Sequence, residues 1–579
     1  MLKKRRPAVT QPAGPDAGGP STHNPGSSPQ VAVVSRRDLL AVMGAVALTV
    51  VPAVRNGGTG VSILSTRTGR RSDPTGPEDG IAELAAGLAA GRWTAVELVG
   101  WSLDRAAALD RAGPELSHLL DLNPEALAAA RELDLERRAG RVRGPLHGIP
   151  LVLKDNIDTA DRMTTTAGSL ALVGSIARQD AHLAGRLRAA GAVLLAKSSM
   201  SEWANFRSPH SSSGWCSRGG QGRNPHVLDR TPCGSSSGTA GAVAASYVAG
   251  GIGTETDGSI TCPAATVGVV GLKPTVGLVS RSGIIPISVT QDTAGPITRS
   301  VRDAAILLGG ITGPDPRDPA TRQAAGRQAT DYTGFLDPDG LRGKRLGVPR
   351  KVFTGYHDAT DRLFESALEE LRRLGAVIVD PADLPHAADD GSAEYEVLLY
   401  EFKAGLNAYL SALGPEAPVR SLADVIAFNE RERVRVMPYF GQETLVEAES
   451  RGPLTTPAYR RALATCRRLW RTEGIDAVMT RHRLDALVAP TGNPAWPIDL
   501  VNGDHFTGSV TTPAAVAGYP HITVPMGFIQ ELPVGLSLFG RAWSEPVLLA
   551  MAYAYEQATR HWRAPRYLPT VAQSAGGGH

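Results

Sequence analysis

The chain has 579 residues, of which 42% are hydrophobic and 20% charged, a composition typical of a globular protein with a large core. Its formal net charge is only +3, and residues 1–53 alone have a net charge of +4, so that the remainder, with a net charge of −1, is nearly neutral. A near-neutral body lacks the basic surface that nucleic-acid binding requires, and we predict no nucleic-acid partner.

The first 75 residues lack the pattern of a folded domain. Residues 7–34 are rich in Pro, Gly, Ser and Ala, a composition that predicts disorder. Arg36 and Arg37 follow, and after them an apolar stretch of about 16 residues, which is shorter than the roughly 20 residues that span a bilayer. This arrangement resembles a twin-arginine export signal at about residues 35–53.

The predicted export signal also determines the expected location of the protein. We expect passage through the twin-arginine export machinery, cleavage near the VPA at residues 51–53, and a periplasmic or extracellular protein with no stable membrane association. The alternative is a chance arginine pair before an uncleaved anchor. The folded domain is then expected over residues 76–565, with a disordered tail over 566–579.

Helices and short apolar strands alternate along the expected domain. Two short helices around Gly91 and a third after Pro124 come first. A helix followed by a strand is predicted over residues 180–196 and again over 359–380. Further short strands are predicted at residues 148–156, 487–488 and 522–524, and an antiparallel or edge strand at 534–539. This alternation predicts an α/β fold with a layered sheet.

The strand predicted at residues 148–156 delivers Lys154 to its carboxyl end, followed by Asp155. A lysine in such a place is usually a solvated charge. If the strand buries it instead, burial lowers its pKa, and a neutral lysine can act as a base. Lys154 is therefore a candidate catalytic base.

Residues 231–263 hold two Gly-rich turns around an apolar helical run, which is predicted at residues 240–248. The first turn contains three adjacent serines at 235–237, and the second ends at Ser259. Glycine allows positive φ, and such turns can direct several backbone N–H groups at one point to form an anion or oxyanion site. Segments rich in Gly and Ser are more often simple loops, but these glycines bracket an apolar helix, which favours a site.

Other motifs fit the same residues less well. The run GSSSG at 234–238 matches the G-x-S-x-G nucleophile elbow, but residues 224–232 are loop-like where that motif needs a strand. No phosphate-binding G-x-x-x-x-G-K-[ST] sequence is present. The histidines and the four cysteines show no metal-ligand spacing, so we predict no metal and no cofactor. One disulfide is possible, and the sequence does not indicate which cysteines form it.

Five motifs follow one another along the chain: GIP at 148–150 with KD at 154–155, GSSSG at 234–238, GTETDGSI at 253–260, GLKPT at 271–275 and DTAGP at 292–296. As a set they resemble the amidase signature family, and several motifs in the right order are far more specific than any one of them. The resemblance covers about residues 80–565. Within the family the chain is similar to the bacterial peptide amidase type, through SEWANF at 201–206, GGQGRNP at 219–225 and TETDGS at 254–259.

The resemblance implies a single large α/β/α domain, in which helices cover a mixed, twisted central sheet. It implies that Ser259 is the nucleophile, Ser235 a bridging serine and Lys154 the base, and a neutral lysine can take the proton of a serine through a second serine. It also implies a cis peptide bond between Gly234 and Ser235. The oxyanion hole would be formed by the backbone N–H groups of Thr256, Asp257, Gly258 and Ser259.

The chain departs from the family pattern at two positions beside the predicted nucleophile. Thr261 stands where the family commonly has Arg, and Asp257 stands where it commonly has Gly. Both changes alter charge and bulk near the acyl site. The helix-rich region 390–475 is expected to shape the substrate pocket, and its candidate lining residues, each of which also has a purely structural interpretation, are Tyr400, Glu401, Asn407, Phe440 and Gln442.

The resulting hypothesis is a serine amidase that hydrolyses a carboxamide to a carboxylate and ammonia through an acyl-enzyme. The substrate would be a small-molecule or peptide amide, with C-terminal peptide amides suggested by the peptide amidase type. One alternative is the ammonia-producing component of the tRNA-dependent amidotransferase, which has the same fold. Another is a catalytically inactive secreted binding protein, which the presence of all three predicted triad residues argues against.

Overall fold

The computed structural model describes residues 79–389 and 391–571. The predicted export signal therefore lies outside the described residues. Within the described part, thirteen strands form: β1 (Leu119–Leu122), β2 (Pro150–Lys154), β3 (Val193–Ser198), β4 (Trp215–Cys216), β5 (Gly220–Gln221), β6 (Gly250–Glu255), β7 (Val270–Lys273), β8 (Thr293–Thr298), β9 (Arg345–Gly347), β10 (Val377–Val379), β11 (Ala486–Pro490), β12 (His521–Ile529) and β13 (Leu532–Phe539).

The helices of the same part divide into those along the sheet and those of the region 391–475. The α-helices are α1 (Ile81–Ala89), α2 (Ala95–Leu109), α3 (Ala126–Arg138), α4 (His182–Ala189), α5 (Ser237–Ala244), α6 (Thr261–Thr266), α7 (Val301–Ile311), α8 (Asp358–Arg373), α9 (Ser392–Ala412), α10 (Leu422–Arg431), α11 (Arg433–Val436), α12 (Glu443–Glu449), α13 (Pro457–Cys466), α14 (Asp476–His482), α15 (Thr511–Ala517) and α16 (Glu545–Thr559). Short 3₁₀ segments lie at Leu170–Leu172, Glu202–Asn205, Pro319–Ala324 and Thr333–Phe335, and a π-helix at Arg467–Ile475.

One sheet of eleven strands organises the domain, in the order β1-β3-β2-β6-β8-β7-β12-β13-β11-β9-β10. It is mixed: β2 pairs in parallel with β3 and β6, whereas β6, β8, β7 and β12 pair antiparallel in succession. Helices pack on the sheet, and the apolar side chains gather in separate clusters. The predicted α/β fold with a mixed sheet covered by helices is confirmed.

Strand β2 shows how the sheet separates these clusters. Leu151 and Leu153 lie in one apolar cluster, whereas Val152 lies in the other, together with the side chains of α5. Because side chains alternate along a strand, Lys154 is placed on the same face as Val152, under α5. Strands β2 and β6 are parallel neighbours, so their carboxyl ends, Lys154 and Glu255, meet at one edge of the sheet.

Strand β6 corrects the sequence prediction, which assigned its glycines to a turn. Residues 250–255 are instead fully buried in the middle of the sheet. The glycines are needed for close packing: a Cβ on Gly251 would lie 2.8 Å from the Val152 carbonyl oxygen, and one on Gly253 would lie 2.8 Å from Ser236 Oγ. The second turn therefore begins only after Glu255.

Two further boundaries differ from the sequence predictions. The apolar helical run forms α5 three residues earlier than predicted, from Ser237, and ends at Ala244. Strand β13 is antiparallel as predicted, but β12 and β11 flank it, so it is not an edge strand.

The described chain continues beyond residue 565, where we predicted the domain to end. The backbone N–H of Leu568 donates to His226 C=O, and Leu568 C=O accepts from Leu228 N–H. In residues 79–389 and 391–571, no helix has both the length and the apolar character that crossing a bilayer requires.

Candidate active site

Lys154 and Ser235 are in direct contact beneath α5. Lys154 Nζ is 2.8 Å from Ser235 Oγ, and it also donates to the carbonyl oxygen of Thr254 at 3.0 Å and to Thr254 Oγ1 at 2.9 Å. Asn156 Nδ2 donates to the same Thr254 Oγ1 at 3.0 Å. Strand β2 thus supplies the amine and strand β6 supplies the oxygens that orient it.

The protonation of Lys154 is shaped by its burial. The side chain is fully buried, and the resulting loss of hydration lowers the pKa of Lys154 to about 7, although the more distant carboxyls of Glu255 and Asp292 oppose the shift. Asp155, the next residue, lies on the other face, where its carboxyl accepts hydrogen bonds from Thr166 Oγ1 and Gly168 N–H. A neutral amine is therefore accessible near neutral pH.

The segment around Ser201 packs against the turn that carries Ser235. The Gly234–Ser235 peptide bond is cis, as the family resemblance implied. Ser201 N–H donates to Ser235 C=O at 3.1 Å. A Cβ on Gly234 would lie only 2.2 Å from Ser201 Oγ, so this close approach requires glycine. Ser235 itself is fully buried.

Ser259 lies beside this pair and is the member of the predicted triad that reaches the surface. It is 8% exposed, whereas Lys154 and Ser235 are completely buried. The chain around it is joined to the Ser235 turn because Ser236 N–H donates to Ser259 C=O at 3.1 Å. Among the described residues, the hydroxyl of Ser259 has no hydrogen-bond partner, so it remains available to a substrate.

The predicted oxyanion donors lie in the turn between β6 and α6. Gly258 has φ +79, a left-handed conformation that favours glycine. The N–H groups of Asp257, Gly258 and Ser259 donate to no protein acceptor in the part of the chain that the structure describes. Unpaired N–H groups beside an accessible hydroxyl are what an oxyanion hole needs; N–H of Thr256 belongs to the same turn.

Two carboxyls, one buried and one partly buried, hold this turn at its ends. Glu255 Oε2 accepts from the N–H groups of Ile260 at 2.8 Å and Thr261 at 2.9 Å. Asp292 Oδ1 accepts from Thr256 Oγ1 at 2.6 Å. Burial raises the pKa of both carboxyls, that of Asp292 to about 6. The ends of the turn are therefore fixed by charge-assisted hydrogen bonds.

The two departures from the family pattern have structural partners. Thr261 donates its Oγ1–H to Glu255 Oε2 at 3.2 Å. Asp257 Oδ2 accepts from Thr512 Oγ1 at 2.7 Å, which directs this carboxylate toward α15. The carboxylate of Asp257 therefore borders the turn on the side of α15.

The five candidate lining residues of the helix-rich region contact other residues of that region or, in the case of Glu401 and Phe440, Ser288 and Arg207 outside it. Glu401 accepts from Tyr459 and from Ser288, Asn407 accepts from Leu422 N–H, and Gln442 bonds Asn429 and Glu430. Tyr400 packs on Tyr459, and Phe440 stacks on the buried guanidinium of Arg207. Within the described residues, none of the five hydrogen-bonds the predicted triad.

Several residues that position the site were not assigned a role from the sequence. Thr254 and Asp292 lie inside the motifs GTETDGSI and DTAGP, so the motifs contained the signal without indicating what these side chains do. Asn156 follows the KD motif. The disulfide joins Cys233 to Cys262 and leaves Cys216 and Cys466 as buried thiols.

Within the described residues, no group of three or more His, Cys, Asp or Glu side chains is arranged to hold a metal ion. The site itself brings together two serines, a lysine and backbone N–H groups. Such a set can transfer a proton, attack a carbonyl carbon and stabilise the oxyanion that forms.

Comparison with known proteins agrees with this arrangement. The family model described as Amidase matches residues 97–549. The chain belongs to the amidase family. The crystal structure of native peptide amidase from Stenotrophomonas maltophilia is similar to this amidase with a TM-score of 0.81 and 56% identity, covering 85% of this chain and 99% of that chain.

Curated relatives point to the same family by sequence. A probable amidase of Arabidopsis thaliana is 42% identical over 82% of this chain and 89% of its own length. A glutamyl-tRNA(Gln) amidotransferase component of Chloroflexus aurantiacus is 38% identical over 84% of this chain and 98% of its own. This amidase is an amidohydrolase that acts on amides, which confirms the predicted enzyme class.

Proposed function

We propose that this amidase hydrolyses the C-terminal carboxamide of peptides, with Ser259 as nucleophile, Ser235 as relay and Lys154 as base. The observation that carries the proposal is the contact between Lys154 Nζ and Ser235 Oγ at 2.8 Å, beneath an accessible Ser259. A buried amine that touches only neutral oxygens is suited to accept a proton rather than to balance a charge.

The hydrogen bonds of Lys154 are compatible with its neutral form. A neutral amine has two N–H groups and one lone pair. The two N–H groups can donate to the carbonyl oxygen and the hydroxyl of Thr254, and the lone pair then faces the hydroxyl of Ser235. Thr254 therefore orients the base toward the relay.

Acylation follows from this orientation. Ser259 Oγ bonds to the carboxamide carbon as its proton passes to Ser235, whose own proton passes to Lys154. The oxyanion is stabilised by the N–H groups of the turn 256–259, where each donor contributes about 3 kcal/mol by general precedent. When the C–N bond breaks, Lys154 returns its proton through Ser235 to the leaving nitrogen, which departs as ammonia.

Deacylation uses the same groups with water in place of Ser259. Water gives a proton through Ser235 to Lys154 and its oxygen bonds to the acyl carbon. The bond from that carbon to Ser259 Oγ then breaks, and the proton returns to Ser259. The products are a carboxylic acid, which ionises, and a regenerated enzyme.

The peptide amide substrate is supported by the 56% identity to a peptide amidase over nearly the whole of that chain. The amidotransferase alternative is supported by 38% identity to the amidotransferase component of Chloroflexus aurantiacus. The near-neutral body of the chain favours the hydrolase, because the amidotransferase works together with partners and tRNA. Asp257 and Thr261 border the acyl site and are expected to influence which acyl groups are accepted.

The substrate can be tested with purified protein and an ammonia assay. A panel of peptide amides, aliphatic amides, aryl amides and glutamine should give the highest kcat/KM with peptide amides. Ammonia release from glutamine alone would support the amidotransferase relation instead. No release from any amide would favour the inactive binding protein.

The nucleophile can be tested with a matched pair of serine variants. Ser259→Ala should lower kcat by about 10⁴-fold or more, whereas Ser236→Ala should keep substantial activity. Ser236 Oγ bridges the carbonyl oxygen and the N–H of Thr254 at 3.1 and 3.2 Å, which is a supporting contact. Labelling of Ser236 rather than Ser259 by a fluorophosphonate would show that the nucleophile is misassigned.

Export also remains part of the proposal. It is supported by Arg36 and Arg37 before an apolar stretch and by the Cys233–Cys262 disulfide, since disulfides persist in oxidising compartments. Changing both arginines to lysine should retain the protein in the cytoplasm, as measured by fractionation and immunoblot. Unchanged secretion of this variant would remove the basis for twin-arginine export.

A further inference from the structure

The Cys233–Cys262 disulfide joins the two turns that carry the predicted serines. Cys233 lies two residues before Ser235, and Cys262 lies three residues after Ser259, with their Cα atoms 6.1 Å apart. It is therefore placed to fix the distance between relay and nucleophile, which belong to separate parts of the chain.

The other links between these two turns are few and non-covalent. Ser236 N–H donates to Ser259 C=O, and Thr266 Oγ1 donates to the carbonyl oxygen of Pro232 at 2.9 Å. On one side of the bond, Cys233 N–H donates to Thr231 Oγ1. On the other, Cys262 N–H donates to Gly258 C=O at 2.8 Å, directly within the oxyanion turn. The Cys262 half is thus connected to the oxyanion turn by a backbone hydrogen bond, and the Cys233 half directly precedes the Ser235 turn in the sequence.

One end of the disulfide can be reached from the surface. Cys233 is only 4% exposed, but Cys262 is partly exposed and lines a small surface pocket together with Thr491, Asn493 and Phe506. Of the two half-cystines, Cys262 is therefore the more exposed. The thiols of Cys216 and Cys466 are both buried and lie outside this arrangement.

We propose that the Cys233–Cys262 disulfide is a positioning element of the active site, and that its reduction through the exposed side of Cys262 lowers the reactivity of Ser259. The proposal rests on Ser259 being the nucleophile of the proposed function. Without the bond, only hydrogen bonds keep the two turns in register. A displacement of about 1 Å between reacting groups can cost about 100-fold in rate.

A water-soluble phosphine reduces the disulfide by attack on one of its sulfur atoms, followed by hydrolysis. The phosphorus atom bonds to Sγ of Cys262, and the S–S bond breaks to leave a thiolate on Cys233. Water then releases the second thiol and the phosphine oxide. The disulfide gains two electrons and two protons, and the phosphine is oxidised by two electrons.

The test compares oxidised and phosphine-treated full-length enzyme. Active sites are counted by fluorophosphonate titration, and kcat per titrated site and KM are measured on a peptide amide. We expect kcat per site to fall by about 10- to 100-fold on reduction, with KM changed less than about threefold. The rate of fluorophosphonate labelling of Ser259 should fall in parallel, since it needs no amide substrate.

Two sets of variants identify the bond responsible. The double variant Cys233→Ser/Cys262→Ser should have the low kcat of the reduced enzyme and should not respond to the phosphine. The double variant Cys216→Ser/Cys466→Ser should keep the full oxidised activity and the full response. Melting temperatures recorded alongside show whether each variant is folded at the assay temperature.

The outcomes separate this inference from the proposed function. Unchanged kcat per site and unchanged labelling rate after reduction, with only a lower melting temperature, would show a purely structural bond and overturn the inference. Redox-dependent labelling of Ser259 without hydrolysis of any amide would support the inference and refute the proposed function. Failure of oxidised Ser259 to react with the fluorophosphonate at all would overturn both.

Discussion

Two lysines, Lys154 and Lys197, lie buried on the neighbouring parallel strands β2 and β3, and their surroundings differ. The register of β2 and β3 pairs Lys154 with Ser198, and pairs Leu153 with Lys197. Since paired residues share a face and successive residues alternate, the two lysines point to opposite faces of the same sheet. Both are fully buried.

Lys197 also contacts neutral oxygens, but several carboxyls influence it electrostatically. Its Nζ donates to Ile157 C=O at 2.5 Å and to Thr165 Oγ1 at 2.8 Å. Burial lowers the pKa of Lys197, and the nearby carboxyls of Asp155 and Asp158 oppose that shift most. These acids favour the charged form of Lys197.

Lys154 has lost its hydration to the same extent, and its hydrogen-bond partners are likewise neutral oxygens, those of Ser235 and Thr254. Its nearest opposing carboxyls, Glu255 and Asp292, are occupied by other donors. The comparison shows that burial alone does not make a lysine a base. Among the described residues, neither amine is directly bonded to a carboxylate; the carboxyls of Asp155, Asp158, Asp161 and Asp121 oppose the pKa shift of Lys197, whereas only those of Glu255 and Asp292 oppose that of Lys154.

The most direct test of this comparison replaces each of the two lysines in turn with methionine, which removes the amine. Lys154→Met should lower kcat by about 10³-fold or more, because no other group near Ser235 can accept its proton. Its stability at pH 7 should equal or exceed that of the wild type, since the folded state no longer holds an amine with a depressed pKa. Activity assays and thermal melts of the same samples test both statements.

The sign of that stability effect depends on pH. Between pH 7 and about 10.4 the unfolded chain binds more protons at Lys154 than the folded chain does. Wild-type stability should therefore rise with pH across this window relative to Lys154→Met, and the advantage of the variant should be largest below pH 7. A Lys154→Met enzyme with nearly full kcat would show that another group is the base.

Lys197→Met should have the opposite phenotype. It removes the buried amine that donates to Ile157 C=O and Thr165 Oγ1, and a buried acceptor left unpaired typically costs about 1–3 kcal/mol. The free energy of unfolding should fall by about this amount, whereas kcat per titrated site should stay within about threefold of the wild type. A stable Lys197→Met variant with low kcat would mean that Lys197 also contributes to catalysis, contrary to the comparison.

Much of this arrangement could be predicted because local sequence encodes it. The apolar run before Lys154 predicts a buried strand that ends in the amine, and the Gly-flanked serines predict two tight turns. Adjacency in the sequence makes Asp155 a neighbour that could keep Lys154 charged. The structure places Asp155 on the opposite face, where Thr166, Gly168 and Arg218 contact its carboxyl, and these partners depend on long-range packing that no local pattern contains.

Other features could not be predicted because they depend on long-range packing. The glycines of β6 are typical of a turn by local preference, and only the close approach of α5 explains why a central strand lacks side chains there. The partner of Cys233 could have been any of three other cysteines. The hydrogen bond from Thr256 to Asp292 joins residues that are 36 positions apart, so short-range sequence periodicity does not predict it.

The smallest expected effect comes from a substitution that changes the electrostatic potential at the amine of Lys154 and leaves the lysine itself in place. In the wild type, kcat/KM should rise about tenfold per pH unit below pH 7 and level off above about pH 8, as Lys154 loses its proton near its pKa of about 7. Asp292 favours the charged form of Lys154. Asp292→Asn should therefore move this rise to lower pH, by about half a unit.

The matched control for Asp292→Asn lies on the other face of the sheet. Asp158 accepts a hydrogen bond from Tyr409 at 2.8 Å, and burial raises its pKa to about 6, as it does for Asp292. Because Asp158 acts on Lys197 rather than Lys154, Asp158→Asn should leave the pH of the rise unchanged. Profiles of kcat/KM measured from pH 5.5 to 9 for both variants decide the matter. If Asp158→Asn moves the rise and Asp292→Asn does not, the titrating base lies on the Lys197 face, and the assignment of Lys154 is wrong.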